Sequence, residues 1–200
     1  ETLYIGNELP QLDTNDVQYA DYCAWQQTRI DKGDYDQQLS FWRKQLDGGL
    51  TGFEVPTDFP RPLVQTYTGC RFEQTIPALL TGQVREYASS AKLTTFVLLL
   101  TAFKALLSRY TQKQDVMIGT VVANRDYAEI NDLIGFFVNP VVLRTQISKA
   151  ISFEDLLKQV NNVTLDAVAN HNVPFEYLVD QLAPPRDTSR SPLFQIAFDL

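Results

Sequence analysis

Two short runs of mostly apolar, β-favouring residues, 116–122 and 136–147, stand between long stretches whose apolar residues recur at helical spacing. Runs of that length with little polar alternation suit interior strands. Pro140, near the start of the second run, limits pairing there. The helical stretches bracket them. The spacing predicts a helix over 16–30, capped by Thr14 and Asn15, and a second over 35–46 that Gly48-Gly49 stops. A proline-containing strap over 55–69 leads to Arg71–Ile76, which alternates like a strand with one wet face. Pro77 then opens a helix reaching about Lys92. Thr94 or Thr95 caps the next, whose residues Phe96 to Tyr110 are apolar on most sides. Ser152, with Asp155 as capping-box partner, starts another; a short helix over 175–182, a loop and a last strand over 193–200 follow. Helices alternating with strands imply an α/β (α+β) sheet covered by helices on at least one face.

Composition narrows the function. A hydrophobic share of 44% and a charged share of 20% are ordinary for a globular chain. The net charge of −7, with Lys and Arg scattered, argues against nucleic acid as a partner. The longest apolar stretch, 96–100, is too short to span a membrane. Cys23 and Cys70 lie outside any metal spacing and read as buried free thiols, which with the lack of a leader suits the cytoplasm. The chain begins without methionine and closes inside an apolar run, as a segment cut from a longer polypeptide would. The sequence has no P-loop, no G-x-S-x-G, no H-E-x-x-H and no serine motif for phosphopantetheine attachment.

Five strings exceed what these periodicities require. They are QYADYCAWQ at 18–26; FW at 41–42 with VPTDFPRP at 55–62; IGT with ANR at 118–125 and IGFFVN at 134–139; VPFE at 173–176; and RDTSRSPLFQ at 186–195. In this order, over about residues 9–200, they resemble the C-terminal lobe of a condensation domain of nonribosomal peptide synthetases, a branch of the chloramphenicol-acetyltransferase-like acyltransferases. The sequence departs from the family pattern at Val121, Pro140 and Ser191, where proline, threonine and asparagine are usual.

The resemblance implies a mixed β-sheet covered by helices, paired with an N-terminal lobe across a tunnel in which two carrier-bound substrates meet. It also implies amide-bond formation between aminoacyl or peptidyl thioesters. No cofactor is implied to bind directly: the substrates ride on 4'-phosphopantetheine arms of upstream and downstream peptidyl carrier proteins, beside an adenylation domain. The family's H-H-x-x-x-D-G motif is expected in the other lobe, since this chain has one histidine, His171. Aligned on Val173, His171 falls where the motif carries glutamine, so it reads as a capping or surface residue. No catalytic residue is therefore expected here. The isolated chain is expected to be inactive, its role being tunnel wall and substrate alignment. A scaffolding or carrier-docking relative, and an epimerising or heterocyclising one, are the rival readings.

Single residues read in two ways. Asn139, at the start of a strand, either faces the tunnel or satisfies neighbouring backbone. Asn124 and Arg125 end the first interior strand, where ligands approach open sheets, although Arg125 could pair with Asp126 or Glu129 instead. Gly135 permits a tight turn, and Asp187 with Arg190 staples a loop. Tyr19, Tyr22 and Trp25 read as core, Asp21 as a residue pinning the two lobes, and Pro174 and Phe175 as carriers of the fourth string.

Overall fold

The structure is a computed structural model that describes residues 17–49 and 53–200. The elements in order are α1 (Tyr19–Asp31), α2 (Asp36–Leu46), α3 (Ala78–Ser90), α4 (Thr95–Thr111), β1 (Asp115–Val122), a single 3-10 turn (Ala128–Ile130), β2 (Asn139–Gln146), α5 (Phe153–Ala169) and α6 (Phe175–Leu182). Strands β1 and β2 pair antiparallel, from Asp115 opposite Gln146 to Val122 opposite Asn139. Residues 116–120 are all buried, as expected of a strand covered on both faces.

Local chemistry sets the helix starts. The Thr94 hydroxyl accepts the Val97 N–H at 3.2 Å and the Ser152 hydroxyl accepts that of Asp155 at 3.1 Å, each satisfying an orphan first-turn donor. Ser152 donates in turn to the Asp155 carboxylate at 2.7 Å. Helix α5 lies on β2 and α4, and α6 bridges β2 and α2. Their apolar stripes, with Leu46, Leu100, Ile118, Leu143 and Val160 fully buried, meet in one core.

Four sequence expectations change. Residues 71–76 form no strand; they are exposed and irregular. The strand expected over 193–200 reduces to one parallel bridge, Gly119 to Ala197, where the Gly119 N–H donates to Ile196 O at 2.8 Å and accepts through its own carbonyl from Phe198 at 2.9 Å. The second strand begins at Asn139 rather than 136, because 136–138 belong to a separately packed loop. Both thiols are exposed, not buried: Cys23 lies on the open side of α1, and Cys70 in the uncovered stretch before α3. The caps expected at Thr14 and Asn15 fall outside the described residues.

Candidate functional site

Beside the main core sits a second, small one, built from Tyr22, Ile130, Leu133 and Phe137, with Val17 and Tyr19 against it. It joins two of the sequence strings through residues more than a hundred positions apart, Tyr19 and Tyr22 with Phe137. The α1 register places Tyr19 and Tyr22 on one face, and the Phe137 ring meets both edge-on, with centroids 5.2 and 4.8 Å away. Such a core is one ring deep, so of the three aromatic residues expected inside only Tyr22 is buried. Tyr19 is half-buried, and Trp25 is 39% exposed, packed edge-on against Tyr127 with the Arg29 guanidinium over its ring. Burial pushes the Tyr22 phenol up to about 12, keeping it protonated; it accepts from Asn124 Nδ2 and Gln26 Nε2, both at 3.3 Å.

Arg125 organises the loop that follows β1. Its guanidinium donates to the carbonyls of Ile130, Asn131 (3.1 Å) and Leu133 (2.9 Å), and its Cζ lies 4.1 Å from the Phe137 ring centroid. The expected surface pairing with Asp126 or Glu129 does not form, because the loop's own carbonyls fill the fork. Asn124 turns the chain into this loop with φ +52°, a left-handed conformation that asparagine tolerates.

Gly135 serves a different purpose from the one read in the sequence. Its φ is not positive; a Cβ there would run into the Tyr19 ring. The missing side chain lets the Tyr19 hydroxyl donate to Phe136 O at 2.8 Å. Held at both ends, the loop displays Ile134, 97% exposed, and Phe136, 71% exposed, at its tip. Asp21 caps its own helix by accepting the Gln18 N–H at 2.8 Å.

Asn139, 5% exposed, is engaged by backbone on all sides. Its amide donates to His171 O at 2.6 Å and Val173 O at 2.8 Å, and its carbonyl accepts the Phe175 N–H at 2.9 Å. It thus fastens the start of β2 to the loop entering α6, where Pro174 occupies the cap position and donates nothing. The Phe175 ring continues to Phe194, 5.9 Å away. His171 has both ring nitrogens occupied, Nδ1 by Val168 O at 2.5 Å and Nε2 by Asp126 at 3.0 Å.

A third cluster ties the strap to the last loop. Arg190 meets Asp187 at 2.6 Å and Glu54 at 3.0 Å, and Glu54 also meets Arg61 at 3.0 Å. The Ser189 hydroxyl and N–H, followed by Arg190, hold the exposed Asp187 carboxyl below its ordinary range.

Two features escaped the sequence reading. Lys104 lies on a helix that looks uniformly apolar, yet its ammonium is fully buried, donating to Leu143 O at 2.8 Å and Thr145 Oγ1 at 2.6 Å. The Arg144 fork grips Asp115 at 2.8 and 2.9 Å and also donates to Gln45 O and Asp47 O, joining α2 to the sheet. Only the i, i+3 and i+4 spacing of Lys104 with Thr101 and Leu100 on the buried face hinted at the first; nothing local signalled the second. Among the described residues no group of three acidic, histidine or cysteine side chains is placed to hold a metal, and no single helix is long and apolar enough to cross a membrane.

What the arrangement offers is a rigid, apolar-tipped loop and a stapled sheet end, with the one histidine engaged elsewhere. Comparison with known proteins gives these features a family. A family model described as "Condensation domain" matches residues 1–200. A linear gramicidin synthase of Brevibacillus parabrevis is 44% identical over 198 residues, 99% of this chain and 4% of its own length. Among solved structures, the complex of the X-domain and OxyB from teicoplanin biosynthesis superposes with a TM-score of 0.88 at 28% identity, over 96% of this chain and 43% of that one. The condensation domain from the monacolin K polyketide synthase MokA gives 0.75 at 26%, over 99% and 48%. The chain thus spans a twenty-fifth of the curated relative's length and less than half of each structural neighbour.

Proposed function

This chain belongs to the condensation-domain family, and we propose from that membership that it is the supporting lobe of an amide-forming domain in a nonribosomal peptide synthetase. In the reaction the amine of an acceptor aminoacyl thioester attacks the carbonyl carbon of a donor thioester. A C–N bond forms, the C–S bond breaks, the donor's carrier thiol leaves, and the ammonium proton is lost to a base. The residues described here do not supply that base, since both nitrogens of His171 are engaged. Their contribution is placement. Holding two reactants in line supplies up to about 7–11 kcal/mol of the barrier in well-oriented systems. The substrates would arrive on 4'-phosphopantetheine arms of peptidyl carrier proteins flanking the domain, with an adenylation domain adjacent and the histidine motif on the N-terminal lobe.

The observation that carries this reading is the convergence of Tyr19, Tyr22, Asn124, Arg125, Gly135 and Phe137 into one small core whose product is the displayed Ile134–Phe136 tip. A loop stabilised this thoroughly yet tipped with bare apolar side chains is suited to forming a wall against another surface. The test is single-turnover amide formation by the complete domain with loaded donor and acceptor carriers. Phe136→Asp is expected to lower the rate at least tenfold with folding intact, and the 200-residue chain alone is expected to form no amide. A full-rate Phe136→Asp domain, or amide formed by this chain alone, would overturn the reading.

A docking role is the second reading, favoured by the likeness to an X-domain solved together with OxyB. It predicts binding of a partner enzyme by the complete domain without any amide product from loaded carriers.

A further inference from the structure

We infer that His171 is a positioning residue that ties the displayed loop to the turn between α5 and α6 in a proton-dependent way. Its charged ring grips both sides; its neutral ring grips only one. The consequence for substrate placement rests on the reading of that loop as a wall. The tie itself is measured without any amide formation, so either can fail without the other.

The ring stands on a fixed mount. The His171 carbonyl accepts from Asn139 at 2.6 Å and the Asn170 carbonyl from Trp42 Nε1 at 2.8 Å, so β2 and α2 hold the turn between them. From this mount the imidazole, 15% exposed, faces an acceptor with each nitrogen. Nδ1 lies 2.5 Å from Val168 O, one of the last-turn carbonyls that the end of α5 leaves without a helical partner. Nε2 lies 3.0 Å from the carboxylate of Asp126, at the base of the loop. A carbonyl and a carboxylate only accept, whereas a neutral imidazole has one N–H to give. A neutral ring thus satisfies one side and points a lone pair at the other. The imidazolium, with two N–H groups, satisfies both.

The surroundings leave the switch to this one pair. Among the described residues Asp126 is the one carboxylate in ion-pair contact with the ring; Asp166 of α5 and Glu176 of α6, the nearest acids in sequence on the adjoining helices, make no such contact. Arg125, the adjacent cation, has its fork filled by the loop's own carbonyls. The remaining side chains at the tie, Asn139, Asn172 and Gln38, carry no charge. Asn172 donates to Asp126 at 2.6 Å and accepts from Gln38 at 3.3 Å, so it keeps a hold on the carboxylate when the ring is neutral. Loss of the proton therefore loosens the loop at its base instead of freeing it. The closed loop needs the proton, so acid favours it and rising pH undoes the grip.

The test is amide exchange in the complete domain, read as protection factors so that the intrinsic pH dependence of exchange is removed. The reporters are the Ile130, Asn131 and Leu133 amides, which bond to carbonyls within the loop. From about pH 5.5 to about pH 8, the range in which histidine changes charge, their protection is expected to fall roughly fivefold or more. The amides of β1 and β2 are expected not to follow. His171→Gln offers a donor that does not titrate, and Asp126→Asn presents Nε2 with a neutral amide that donates or accepts; each is expected to abolish the fall. Equal protection of the unaltered loop at the two pH values would overturn the inference, as would a fall that survives in either folded variant. If one variant fails to fold, the other carries the comparison.

Discussion

The Phe194 ring lies so close over Gly119 that a methyl group at that glycine would occupy the space of the ring itself. Gly119 also exchanges both of its outward main-chain groups with Ile196 and Phe198, so one residue in β1 anchors the whole last segment of the chain. The approach is prepared upstream. Leu193 takes φ +65°, strained for a leucine, and the Phe194 N–H reaches Pro192 O at 2.8 Å across it. Gly119→Ala should therefore destabilise the fold by about 1–3 kcal/mol, the range for forcing extra volume into a packed site. Urea denaturation measures it, and adding Phe194→Ala should recover part of the loss because it removes the clashing ring. Equal stability of Gly119→Ala and the parent would contradict the contact.

Lys104 makes stability depend on pH in an unusual direction. Burial lowers its pKa from 10.5 to about 7, with the Asp115 charge opposing the shift. Between those values the unfolded chain holds a proton that the folded chain has released, so stability rises with pH across that window. The penalty is complete below about pH 7 and vanishes above about pH 10.5, with a slope of at most about 1.4 kcal/mol per pH unit. Lys104→Met should flatten the dependence whatever it does to absolute stability. Denaturation midpoints from pH 7 to 9.5 for both proteins decide it; parallel curves would remove Lys104 as the cause.

Replacing Asn139 should show in stability before anything else, since its amide is bonded to three main-chain groups. Asn139→Leu leaves the buried Val173 carbonyl, the part-buried His171 carbonyl and the Phe175 N–H without that partner, at about 1–3 kcal/mol for a buried group left unsatisfied. Asn139→Asp keeps the acceptor for Phe175 but turns a carboxylate on the carbonyls of His171 and Val173, and should cost nearly as much. A thermal melt shifted by less than a degree in both variants would show that the staple is dispensable.

Much of the architecture was legible in sequence because it rests on local patterns. The stripe from Phe96 to Tyr110, the Ser152 cap and the 175–182 helix are written in consecutive residues, and each appears where its spacing places it. The site was legible as strings but not as an assembly. Tyr19 and Gly135 are each unremarkable until one packs on the other, and Arg125 can be told from a surface ion-pair residue only when its fork is seen filled by carbonyls. The 71–76 pattern misled for a related reason: alternation reports how side chains would divide between two faces, not whether a neighbouring strand is there to pair with. Lys104 stayed hidden because a helix apolar on most sides gives no sign that one cation inside it meets Leu143 O and Thr145.

Arg125→Lys separates the clamp from the charge. Lysine keeps the cation but presents a single point in place of a fork, and so cannot reach the carbonyls of Ile130, Asn131 and Leu133 together or stack flat on Phe137. The main core does not include these residues, so global stability should change little. Local opening of 126–138 is where the loss falls. With at least one charge-assisted hydrogen bond gone, worth about 1.5–3 kcal/mol, the loop should open roughly tenfold to a hundredfold more often. Limited proteolysis with a nonspecific protease should cut the variant faster within 126–138 while cleavage elsewhere keeps its rate. Equal cleavage rates in that loop would mean that the Tyr19–Gly135 packing, and not the guanidinium, holds its shape.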